Sequence, residues 1–154
     1  MAQVVADASC LIHLDRIGQL GLLERLFGEV VVPPAVAREV EPAGLELPAW
    51  VHVQALAAPV PPVAAARTLG AGETEAIALA RELGARIILD DLAARRLARE
   101  LRLELVGTAA LLYMAKARGL VPAVRPLLDA LLATGFRLSP AIYREVLAAA
   151  GEGA

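Results

Sequence analysis

Five short runs of aliphatic and β-branched residues punctuate the chain: Gln3–Ala6, Glu29–Val32, Val51–Ala55, Arg86–Leu89 and Glu104–Val106. Each is bounded by turn or cap residues, and the segments between them carry helical rather than alternating spacing. No hairpin dipeptide joins any two runs, and the chain contains no Asn at all. Strands that cannot return through tight turns must be linked through helices, which gives a parallel sheet covered on both faces. Such strands are apolar on both sides, which fits a hydrophobic fraction of 58%.

The helical pattern is equally regular. Leu11, Leu14, Leu22, Leu23 and Leu26 share helical spacing, interrupted at Gly18 and Gly21, and Pro33-Pro34 suits the first turn of the next helix. Gly72–Leu83 and Leu92–Leu101 form two further amphipathic segments, and the C-terminal third is helical throughout. Its starts are expected at Thr108, Pro122 and Ser139-Pro140, and its stops at Gly119, Gly135 and Gly151. Residues 41–50 and 57–62 read as loops, and no internal repeat or long linker divides the chain, so residues 1–154 are expected to form one domain.

Several function classes fall away. The longest charge-free stretch, Leu47–Ala66, carries Pro48, Pro59, Pro61 and Pro62, which would break the hydrogen-bond ladder of a spanning helix. The opening residues lack the basic and apolar regions of a signal peptide, so a cytoplasmic protein without membrane contact is expected. One cysteine, Cys10, excludes a disulfide framework and a Cys-cluster zinc site, and it reads as a small buried hydrophobe. Leu69–Glu73 matches neither phosphate-binding glycine motif, Ser9 and Ser139 lie outside a nucleophile elbow, and His13 and His52 lack metal-ligand spacing. Both histidines read as structural or surface groups. The net charge of −2 conceals an asymmetry: residues 1–91 hold 12 acids and 6 bases, and residues 92–154 hold 5 acids and 9 bases.

The remaining chemistry is acidic. Asp7 follows the first strand and Asp90-Asp91 follows the fourth, at the carboxyl ends where parallel sheets bind ligands. An Asp there can also cap a helix, but two adjacent acids need only one cap, so one carboxylate should be left over. Glu39 flanks the apolar face of the Pro-led helix, and Glu73 and Glu75 open another, where acids favour the helix dipole. If these carboxylates meet, their repulsion requires a cation, and Mg²⁺ or Mn²⁺ suits oxygen ligands and phosphate together.

The order VVADASCLI, VVVPPAVAREV, GAGETEAIALARELGARIILDD, with the helical tail from VGTAALLYMAKARGL onward, resembles the PIN-domain superfamily. That superfamily is the fold of VapC-type toxin ribonucleases, and the tail resembles an uncharacterised prokaryotic branch of it. The resemblance covers nearly the whole chain. It implies a three-layer α/β/α fold, a five-stranded parallel sheet of order 3-2-1-4-5 and an all-helical C-terminal third. It also implies four acids in catalytic and metal-binding roles: Asp7, Glu39, Glu73 (where many members carry Asp) and Asp91. Asp90 stands beside the fourth, Glu75 is the alternative third, and Ser9 would assist a water.

The expected activity is metal-dependent endoribonucleolytic cleavage, with RNA as substrate and Mg²⁺ or Mn²⁺ as cofactor. Arg95, Arg96, Arg99 and Arg102 are candidates for holding the RNA backbone, although Arg95, Arg99 and Arg102 share an expected helix face that solvation explains too. A toxin would imply a small antitoxin partner covering the acidic cleft. The alternative is a catalytically weak or inactive PIN-like module that binds nucleic acid or protein. PIN-like proteins commonly pair, so a homodimer is expected, with Leu111-Leu112-Tyr113-Met114 and Leu127-Leu128 as candidate surface or core.

Overall fold

All five expected strands form, and they assemble in the order β3-β2-β1-β4-β5 with every neighbouring pair parallel. The computed structural model describes residues 3–60 and 69–153. The strands are β1 (Val4–Ala6), β2 (Val30–Val32), β3 (Val51–Val53), β4 (Arg86–Ile88) and β5 (Leu105–Val106). Successive residues of a strand point to opposite faces. Because Val4, Val5 and Ala6 are all fully buried, as are Ile87 and Ile88, both faces of the sheet centre are covered. β3, at one edge, buries only Val51 and leaves Val53 exposed.

Eight helices lie among the described residues: α1 (Ala8–Arg16), α2 (Gly21–Phe27), α3 (Pro34–Val40), α4 (Ala71–Leu83), α5 (Leu92–Glu100), α6 (Thr108–Ala117), α7 (Arg125–Ala133) and α8 (Pro140–Ala149). α4 packs most extensively against α3 and also lies on β1 and β4. Its Ile77 and Leu79 are fully buried, each contributing about 1.5–3 kcal/mol relative to exposure. α1 touches both α3 and α7, so the helical C-terminal third closes onto the element that follows β1.

The elements depart from the sequence reading mainly at their ends. Each strand is shorter than its apolar run, although pairing continues one residue further through Leu89 N–H to Val106 O (3.1 Å). The helix expected from Pro122 begins at Arg125. Its first amides, Val124 and Arg125 N–H, donate to the Glu152 carboxylate at 2.7 and 3.0 Å, so the cap comes from the far end of the chain. The three expected stops, Gly119, Gly135 and Gly151, all adopt left-handed backbone. Residues 61 and 62 of the second expected loop lie outside the described residues. Leu111, Leu112 and Leu128 are core residues, leaving only Tyr113 of the proposed dimer runs clearly exposed. Among the described residues no helix is long and apolar enough to cross a membrane.

Candidate active site

β1 delivers Asp7 to the carboxyl edge of the sheet, beside β4. Its amide donates to Ile88 O at 3.3 Å, and the backbone is extended there (φ −87°, ψ 160°), at the N-cap position of α1. The side chain nevertheless makes no cap hydrogen bond. Asp7 is only 5% exposed, and its Oδ1 is buried without a partner. Burial raises its pKa from 3.8 to about 7, opposed by the Ala8 amide and assisted by the charges of Glu73, Glu39 and Asp90. A buried carboxylate with one oxygen unpartnered, facing other carboxylates, costs free energy unless something positive joins it.

Glu39 extends from α3 to the start of α4, where its Oε1 accepts from Gly72 N–H at 2.9 Å. The approach depends on glycine, since a Cβ at residue 72 would lie 2.5–2.7 Å from the Glu39 carboxylate. Glu73, half-buried in the first turn of α4, turns back to accept from Gly70 N–H at 3.2 Å. Burial raises its pKa, the Gly70 amide opposes this, and the charges of Asp91 and Glu39 add to it. Glu75 points elsewhere: it accepts from Ala35 N–H at the start of α3 (3.1 Å) and stands 4.0 Å from Arg38. Of the two candidates for the third acid, only Glu73 lines the cleft with Asp7.

The adjacent pair after β4 corrects the idea of a leftover carboxylate, because each acid caps a different helix. Asp91 Oδ2 accepts from Ala94 N–H of α5 at 2.9 Å. Asp90 reaches across to α6, accepting from Thr108 N–H at 2.9 Å and from the Thr108 hydroxyl at 2.5 Å. Burial raises the Asp90 pKa, and the two Thr108 bonds, Arg95 and His13 oppose the rise. Asp91 remains exposed, with one oxygen free of hydrogen bonds among the described residues, so it is the more available of the two.

Asp7, Ser9, His13, Arg16, Glu39 and Glu73 line a cleft of about 450 Å³. A larger groove of about 990 Å³ shares Asp7, Ser9, His13 and Glu73 with it and continues past Asp90, Asp91, Arg95 and Arg99 to Arg137. The expected arginine face is only partly realised. Arg95 is half-buried and donates to Leu89 O at 2.8 Å, and Arg99 is exposed on the groove. Arg96 is exposed but does not line the groove, and Arg102 lies beyond α5 in left-handed backbone (φ 60°), because the helix ends before it.

Sequence reasoning missed His13 and Arg137. A signal for the histidine was present, since Ser9, His13 and Arg16 stand at helical spacing on one face of α1. Cys10, by contrast, is fully sequestered, and burial pushes its thiol pKa upward.

In chemistry, the donor set of Asp7, Glu39, Glu73 and Asp91 fits a hard divalent cation: carboxylate oxygens, one of them buried and orphaned. It is not pre-assembled. Among the described residues no three acidic, His or Cys side chains are gathered closely enough to hold an ion, and Glu39, Glu73 and Asp91 each give one oxygen to a backbone amide.

The fold is similar to that of a PilT N-terminus domain protein from the hyperthermophilic archaeon Sulfolobus solfataricus P2. The TM-score is 0.55 and the identity 21%, over 71% of this chain and 89% of that one. No curated protein matches the chain. The model of a PIN-domain family, DUF3368, matches residues 3–152, which contain every carboxylate of the cleft. The chain belongs to this PIN-domain family.

Proposed function

We propose that the protein is a metal-dependent endoribonuclease that hydrolyses RNA phosphodiesters, using Mg²⁺ or Mn²⁺ held by Asp7, Glu39, Glu73 and Asp91. PIN domains are generally nucleases that use divalent metals, which supports the reaction class. The observation that carries the reading is Asp7: a buried carboxylate with an unpartnered Oδ1 at the β1–β4 edge, its pKa lifted to about 7 beside three further acids. The acids of the cleft outnumber its one arginine, Arg16, and repel a phosphate backbone, so an RNA-cutting site of this composition needs a cation.

The cation supplies neutralisation of phosphate charge and activation of water. The chain's own residues do the rest. Glu39 and Glu73 are anchored through Gly72 and Gly70 N–H, which fixes where their second oxygens stand. Ser9, on the first turn of α1, offers a hydroxyl to orient a water beside Asp7. Arg99 and Arg137 carry the positive rim of the groove and attract the backbone on either side of the scissile phosphate. Arg95 contributes less, because its guanidinium already serves Leu89 O. As the toxin of a toxin–antitoxin pair, the protein would be silenced by a small antitoxin covering this groove.

The test is cleavage of single-stranded RNA with Mn²⁺ or Mg²⁺ by the wild type and by Asp7→Asn. The variant should lose more than about 100-fold, beyond the usual cost of an outer-shell change around a metal. Unchanged cleavage by Asp7→Asn would sink the assignment. A second reading, a binding module that does not cut, draws support from the helix-capping engagement of three of the acids. Calorimetric titration with Mn²⁺ separates the two, since a non-cutting module should bind the ion weakly or not at all.

A further inference from the structure

His13 occupies the junction of the cleft and the groove, lining both together with Asp7, Ser9 and Glu73. Its ring is fixed from outside the acidic site. Nδ1 lies 2.7 Å from Thr134 Oγ1, and the Phe136 ring packs against the imidazole edge-on, with centroids 5.3 Å apart at 76°. The Thr134 hydroxyl has one proton, and it donates that proton to Leu131 O at 2.6 Å. Oγ1 can therefore only accept from the imidazole, so Nδ1 carries the hydrogen and Nε2 carries the lone pair. Nε2 has no hydrogen-bond partner among the described residues. The result is a relay of fixed direction that leaves the unpartnered ring nitrogen of this groove-lining residue as an acceptor.

Other acceptors on this surface are otherwise engaged or lie further along the groove. Asp7, Glu73 and Asp91 are the cation's ligands in the reading above, Asp90 already accepts from Thr108, and Ser9 serves the water beside Asp7. Ser139 caps the last helix through Ile142 N–H, Glu145 stands with Ser139 on that helix, and the arginines are donors only. A ribose differs from a deoxyribose by one hydroxyl, which both donates and accepts and lets a protein distinguish RNA from DNA. We propose that His13 Nε2 accepts a hydrogen bond from a ribose 2′-hydroxyl of the bound strand, making His13 the residue that selects RNA over DNA. Burial and the nearby Arg16 charge lower the His13 pKa, and the Asp90 charge opposes them, so the lone pair stays available at neutral pH. The inference takes its substrate class from the ribonuclease reading, but it assigns a specificity role to a residue outside the four acids.

The experiment measures binding by fluorescence anisotropy with all four acids intact and Ca²⁺, another hard oxygen-bound cation, in place of Mg²⁺ or Mn²⁺. The probes are a labelled single-stranded RNA and its all-2′-deoxy counterpart of the same sequence. RNA should bind more tightly by several-fold to about tenfold, the value of one neutral hydrogen bond. His13→Ala should bring the ratio close to one by weakening RNA and leaving DNA unchanged. His13→Gln, which keeps an acceptor at similar reach, should restore part of it. Thr134→Val keeps the imidazole but removes the acceptor for Nδ1–H. It should lower the ratio while thermal melting stays cooperative, which covers the case in which His13→Ala fails to fold.

An RNA-to-DNA ratio unchanged by His13→Ala and by Thr134→Val overturns the inference and leaves the nuclease reading standing. Selective, His13-dependent RNA binding by a protein whose wild type cuts nothing upholds the inference and overturns the nuclease reading. Failure to bind either strand, with no cleavage by the wild type, overturns both.

Discussion

Replacing Asp7 by Asn keeps the shape of the side chain and removes a charge that the fold accommodates poorly. In the absence of metal the variant should be more stable than the wild type at neutral and alkaline pH. The pKa of Asp7 is raised on folding from 3.8 to about 7, so below pH 3.8 both the folded and the unfolded chain hold the proton. Between those values the unfolded chain has lost the proton and the folded chain keeps it, so unfolding releases a proton and stability falls as pH rises. A tenfold change in an equilibrium is about 1.4 kcal/mol, so the full penalty above pH 7 is about 4 kcal/mol. Asp7 is only 5% exposed, so solvent screening discounts little of this, but an Asn amide needs partners of its own and an observed gain of about 2–4 kcal/mol is expected. Urea denaturation in EDTA from pH 4 to 9 measures it: the two curves should converge in acid and separate with rising pH. Saturating Mn²⁺ should close most of the gap, because an ion at 100 times its Kd stabilises the protein that binds it by about 2.7 kcal/mol. Equal stability of the two proteins at pH 8 in EDTA, or a gap that persists unchanged at pH 4, would refute the reasoning.

Gly72→Ala should separate activity from stability. Alanine favours a helix interior over glycine by about 1 kcal/mol, but its Cβ would meet the Glu39 carboxylate. Melting temperature should therefore hold or fall only slightly while RNA cleavage drops at least about tenfold, as expected when a supporting contact at a metal site is lost. Glu73→Gln should abolish most cleavage with little change in melting, since the amide oxygen still accepts from Gly70 N–H. Glu75→Gln should leave cleavage within about twofold, because Glu75 serves the start of α3. Glu152 is held well below its ordinary value, at about 2, by the Val124 and Arg125 amides and by Lys116. Its contribution is present above pH 4.5 and lost as pH falls toward 2, so acid unfolding of Glu152→Gln should lack that slope.

The sheet was legible because its signals are local. Each β-branched run is short and bounded, and the missing hairpin dipeptides left parallel crossovers as the connection. The helix ends at Gly119, Gly135 and Gly151 were legible for the same reason. What escaped sequence reading is carried by contacts between residues far apart in the chain. Asp90 appeared to be one of two acids competing for a single cap, but it reaches Thr108, 18 positions on. Glu75 appeared interchangeable with Glu73 until its partner proved to be Ala35 N–H, 40 positions earlier. His13 looked like an ordinary core or surface histidine, and its partner Thr134 lies 121 positions away. No spacing rule encodes these pairings, since they depend on which helix ends the sheet order brings together.

Capping and metal binding are usually weighed as rival explanations of an acid after a strand, but in the proposed metal site they need not compete. Parallel strands end where helices begin, so the carboxyl edge of such a sheet collects unpaired backbone N–H groups. Glu39, Glu73 and Asp91 each give one oxygen to such an amide, which satisfies the helix and fixes the carboxylate in place. The second oxygen of each is left for a ligand, so the amides both neutralise part of the negative field and set its geometry. Asp7 breaks the pattern: it stands at an N-cap position without making the cap, and its buried oxygen has no partner. Three acids explained by helix ends and one that is not form an arrangement in which Asp7 has the most to gain from a cation. The Asn substitution at Asp7, rather than at any of the other three, is therefore where loss of metal binding and gain of metal-free stability should coincide.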